Sequence, residues 1–149
     1  MANMTDYLED AIVDWLFRGQ AFTPPATMYI GLFTVAPTDA GGGTEVSGGG
    51  YARVAVGDSL TNWAGTQGAG STTGSAAGLG TSGTTSNNNP ITFPAPTAAW
   101  GSIVAFGIFD ALTGGNLLFY ASLTTPKTVN SGDAAPSFGN GALTVQIDN

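Results

Sequence analysis

The apolar residues of this chain fall in short stretches that alternate on a period of two and end in glycine or proline; residues 5–18 are the exception. In residues 27–34 (TMYIGLFT), Met28, Ile30 and Leu32 alternate with Tyr29, Gly31 and Phe33. Both faces are apolar, as a central strand requires. Residues 51–56 (YARVAV), 91–93, 100–109 (WGSIVAFGIF), 116–123 (NLLFYASL) and 142–148 (ALTVQID) repeat the strand signal. The glycine pair in residues 110–116 (DALTGGN) predicts a β-hairpin between two of them. A chain of 149 residues with this punctuation is expected to form one mainly β domain, a β-sandwich of jelly-roll or Ig-like type.

The exception is an amphipathic helix over residues 5–18, with Leu8, Ala11, Ile12, Trp15 and Leu16 at the three-and-four spacing of one face. Thr5 or Asp6 can cap it, Asp6, Glu9 and Asp10 suit the positive end of its dipole, Arg18 suits the other end, and Gly19 supplies the stop. A helix of this length is marginal on its own. It serves either as a lid over the sandwich core or as a docking helix on a partner subunit.

Two segments read as loops. Residues 36–50 carry Pro37, Asp39 and two glycine triplets, which is turn chemistry. Residues 64–89 form a long Gly/Ser/Thr-rich loop in which Leu79 is the sole large apolar side chain. Such composition cannot offset the entropy of ordering itself, so the loop is either disordered or ordered by contact, and contact with a neighbouring subunit is the expectation. Trp63, at the mouth of this loop, is the aromatic residue best suited to anchor an interface; most of the others fall on core-patterned elements.

Charge narrows the function. Charged residues make up 9% of the chain, against roughly 25% in ordinary soluble domains, and ten acids face only Arg18, Arg53 and Lys127 for a net charge of −7. Nucleic acid and anionic membranes need clustered cations that are missing here. No apolar run nears the length of about 18 residues that crosses a bilayer, and the acidic first twenty residues do not resemble a signal peptide, so assembly in the cytoplasm is expected.

The absence of cysteine excludes disulfides and thiolate metal sites, and the absence of histidine removes the usual general base and imidazole ligands. Lys127 sits in a turn-like setting, and Asp39, Glu45, Asp58, Asp110, Asp133 and Asp148 are scattered in or beside turns, where short carboxylates bond local backbone. The glycine triplets lack the spacing of a phosphate cradle. No catalytic, cofactor-binding or metal-ligating residue is assigned.

Glu45 to Val56 (EVSGGGYARVAV), Ile91 to Asp133 (ITFPAPTAAWGSIVAFGIFDALTGGNLLFYASLTTPKTVNSGD) and Phe17 to Pro37 (FRGQAFTPPATMYIGLFTVAP) together resemble a family of small tailed-bacteriophage virion proteins commonly labelled phage tail fibre proteins. The resemblance implies a non-enzymatic structural component of the virion surface. The chain has no heptad stalk, no G-X-Y tract and no β-helix repeat, which favours a capsid-decorating or cement protein. It would be a homotrimer or other symmetric oligomer bound to the major capsid protein. The alternative is a small tail-fibre or receptor-binding component joined to tail proteins, and a polysaccharide hydrolase is a third reading. The interface is expected at Leu8, Ile12, Trp15, Leu16, Trp63 and Leu79.

Overall fold

The computed structural model describes residues 2–64 and 83–147. In chain order its elements are β1 (Asn3–Met4), α1 (Asp6–Arg18), β2 (Thr27–Val35), β3 (Thr44–Glu45), β4 (Val54–Gly57), β5 (Thr84–Ser86), β6 (Ile91–Thr92), β7 (Gly101–Phe109), β8 (Leu117–Val129), β9 (Ser137–Phe138) and β10 (Thr144–Gln146).

The expected central strand and hairpin organise the structure. β7 and β8 form the hairpin, β2 pairs antiparallel with β7, and one sheet runs in the order β1-β8-β7-β2-β3, with β4 also paired to β2. Two antiparallel ribbons, β5 with β10 and β6 with β9, supply the second layer. Ile30 and Leu32 of β2 and Phe106 and Ile108 of β7 share a buried cluster with Ile91, Phe93, Leu143 and Val145. The protein is therefore mainly β with one helix, a sandwich whose second layer is built of ribbons and coil.

The opposite face of the sheet carries a smaller cluster of Phe33, Ala105 and Phe109. Gly31 and Gly107 stand opposite each other on β2 and β7 and make room for it. A Cβ on Gly107 would meet the Phe33 ring at 2.8 Å, and one on Gly31 would meet the Phe109 ring at 3.0 Å and Glu45 Oε1 at 2.9 Å. The glycines that weaken β-propensity are thus the floor of a socket for two stacked rings, whose centroids lie 6.0 Å apart.

Three sequence expectations change. The strand expected over residues 116–123 continues to Val129, past a break in register: Ala105 faces Ser122, whereas Ile103 faces Lys127. Pro126 lies in the extra segment, where its missing N–H suits a bulge. The last strand is shorter than residues 142–148. The end of the expected 64–89 loop is ordered within the chain, as strand β5 followed by Asn87, which is 1% exposed. Leu79 and the rest of that loop, residues 65–82, lie outside the described residues.

Asn87 is the reason this polar segment holds. Its Nδ2 donates to the carbonyls of Asn89 and Gly139 at 2.8 Å each, and its Oδ1 accepts the Leu143 N–H at 2.9 Å. Its own N–H donates to the Leu143 carbonyl, and its carbonyl accepts the Gly141 N–H. A buried amide this fully satisfied is stabilising, whereas its removal orphans several backbone groups at once. Asn87→Ala is expected to cost about 2–4 kcal/mol, read as a lowered urea midpoint with unchanged slope.

Candidate functional site

Thr5 has extended backbone, at φ −94° and ψ 156°, and precedes the first turn of α1 without a side-chain cap. Its hydroxyl is used elsewhere, donating to the carbonyls of Leu117 at 2.5 Å and Leu118 at 3.2 Å. Its N–H donates to the Leu118 carbonyl, and the Asp6 N–H donates to the Asp39 carbonyl. These bonds root the helix on the start of β8. Gly19, at φ 68°, closes the far end as its position suggests, and its N–H donates to the Asp14 carbonyl.

Only the root of the helix is covered. Leu8 is 6% exposed, whereas Trp15 is 54%, Leu16 60% and Phe17 77% exposed. The face expected to act as one unit is thus divided: Leu8 turns inward, Ile12 is half-buried, and Trp15 and Leu16 meet solvent. Five of the nine exposed large apolar side chains among the described residues, including Tyr7 and Val13, belong to α1. Large contiguous apolar exposure marks contact surfaces, and α1 beyond its root is an arm with apolar side chains in solvent. Trp63 is placed differently: it packs against the main core while Nε1 donates to the Gly57 carbonyl at 3.2 Å.

Beneath the arm lies a cleft of about 520 Å³, lined by Thr5, Asp6, Tyr7, Asp39, Phe109 and Asn116 among others. Its carboxylates are partly committed to structure. Asp39 accepts the Tyr120 hydroxyl, a bond that raises the Tyr120 pKa. Glu45, at the cleft's inner wall, is gripped by Arg53 through Nε at 2.8 Å and Nη2 at 2.7 Å. Among the described residues, no three acidic, histidine or cysteine side chains gather to hold a metal ion.

The Arg53–Glu45 pair was not visible as a site in the sequence. The Arg53 side chain is 7% exposed; Nη1 donates to the carbonyls of Ala111 at 2.7 Å and Gly114 at 2.8 Å, and the guanidinium carbon lies 3.3 Å from the centroid of the Phe109 ring. Tyr51 completes the group, donating from its hydroxyl to Glu45 Oε1 and accepting the Leu32 N–H, both at 2.8 Å. Burial, followed by the nearby Glu45 charge, pushes the Tyr51 phenol well above the ordinary tyrosine range, against the opposing pull of the Leu32 N–H. The available signal was the scarcity of charge: a chain with three cations that places one inside a strand signal, YARVAV, invites the question of what neutralises it.

Two experiments follow from this geometry. Phe17→Ser should change stability by no more than about 0.5 kcal/mol, whereas Leu8→Ala should cost about 2–4 kcal/mol; chemical denaturation of both variants checks the division of the helix. The fold favours neutral Tyr51, so its contribution is complete below the unfolded tyrosine pKa of about 10 and is lost as pH rises through and beyond it. Tyr51→Phe should therefore flatten much of the fall in stability above about pH 10, as measured by denaturation across the alkaline range.

A profile of the family described as Podophage GP4 fiber I protein gp80 matches the chain over residues 3–146. No curated protein matches it.

Proposed function

The chain belongs to the Podophage GP4 fiber I protein gp80 family, and on that premise we propose that it is a non-enzymatic subunit of the phage tail-fibre apparatus whose helical arm is its assembly surface. The observation that carries this reading is the concentration of exposed apolar side chains on α1, rooted at Thr5 and exposed at Val13, Trp15, Leu16 and Phe17. A domain that buries its core well and leaves one helix uncovered is suited to joining a larger body.

The family description supports the fibre reading over the capsid-decorating one. Lack of a heptad or β-helix stalk had favoured decoration, but it bears on the shaft of a fibre and leaves open a globular piece attached to one. The Arg53 and Asn87 networks support a structural role as well, because their polar groups are consumed in bonds within the fold.

Cryo-electron microscopy of the intact phage tests the proposal. Few copies confined to the tail, with α1 covered by neighbouring density, are the expected result. Copies spread over the icosahedral shell would overturn the fibre reading in favour of decoration.

A further inference from the structure

Besides the arm, a second surface feature lacks a partner. On the main-core side of the sheet, a pocket of about 70 Å³ is lined by Leu32, Phe93, Ile103, Val129, Phe138 and Lys127 among others. Its volume equals the liquid share of about two water molecules, while its walls are mostly hydrocarbon. Lys127 stands exposed at this pocket, beside the Pro126 bulge. It is also the one cation among the described residues without an ion pair, since Arg18 bonds Asp14 and Arg53 bonds Glu45.

The arm offers the complement. Phe17 is its most exposed large apolar side chain, and helical spacing puts Val13 and Asp14 beside it, with Asp10 a turn further back. Arg18 pairs with Asp14, which leaves Asp6, Glu9 and Asp10 as the helix's acids without an ion pair among the described residues. The chain thus carries an apolar element with acidic flanks and an apolar recess with a basic rim.

These two features cannot meet within one copy as the chain is folded. The arm is rooted where β8 begins, at Leu117 and Leu118, whereas the pocket lies at Lys127 and Val129 near its end. On β7 their register partners, Phe109 and Ile103, stand six residues apart, about 20 Å along a strand, and Phe17 remains in solvent.

We infer that the arm of one copy docks on the Lys127 pocket of a second copy, with Phe17 packing across the mouth of the recess and the acidic flank of α1 facing Lys127. The contact deepens the reading of the arm as an assembly surface and rests on it. It is head-to-tail, so it generates a closed ring such as a trimer if the rotation closes. Lys127 is the one cation without an ion pair among the described residues of a chain of net charge −7, so its rim distinguishes this recess from other apolar spots.

Light scattering after size exclusion, applied to the full chain across a dilution series, tests the contact. Wild type should be oligomeric, and F17S and K127E should each raise the dissociation constant at least about tenfold, a change of about 1.4 kcal/mol. Both positions are exposed, and circular dichroism checks that each variant folds; K127Q serves if charge reversal does not. Mixing F17S with K127E should restore a complex, because the intact arm of one meets the intact pocket of the other. A monomeric wild type, an oligomer indifferent to either variant, or mixed variants that stay apart would overturn the self-contact. If wild type is monomeric while F17S is lost from phage particles, the arm still serves assembly but another virion protein covers it.

Discussion

The buried pairing of Arg53 with Glu45 ties the sheet to the β7–β8 turn, and the root of the helical arm is built on the strand that this turn begins. Withdrawing a guanidinium from water is costly unless its donors are satisfied, and here both carboxylate oxygens, two carbonyls and a ring face share it. The two carbonyls belong to Ala111 and Gly114 in the β7–β8 turn, which Asp110 also closes by accepting the Asn116 N–H at 2.7 Å. That turn sets where β8 begins, and the first carbonyls of β8 receive the Thr5 hydroxyl. Sheet edge, hairpin and arm are linked in one series of bonds.

Gly31 and Gly107 are the steric counterpart of that pairing. They face each other across the two central strands, and the space their missing side chains leave is taken by Phe33, Phe109 and Glu45. A strand position without a side chain normally weakens a sheet. Here it lets rings and an ion pair approach the backbone closely, and one small cluster covers a face on which no second sheet lies among the described residues.

The arm shows the opposite balance. Its root bonds are many and its apolar cover is small, so most of α1 contributes little to the core and much to the surface. A helix of 13 residues is too short to be stable from propensity alone. Cover by a partner, as proposed for the arm, would therefore add to its stability as well as to assembly.

Much of this was legible in the chain. The period-two stretches around Ile30, Phe106 and Phe119, the glycine pair of the hairpin, and the limits of α1 between Thr5 and Gly19 are local signals, because strand alternation and helix capping are decided within a few residues. The fate of Trp15, Leu16 and Asn87 was not legible. An amphipathic pattern says which side chains lie on one face but not whether a surface comes to meet them, and a run of serine, threonine and asparagine conceals one amide that distant backbone fully satisfies. The sequence by itself determined the element types and the poverty of charge, since both follow from residue identity and near neighbours. Only the tertiary structure decided that Arg53 is buried, that β8 breaks register at Pro126, and that the arm is left bare, because each depends on groups brought together from far apart in the chain.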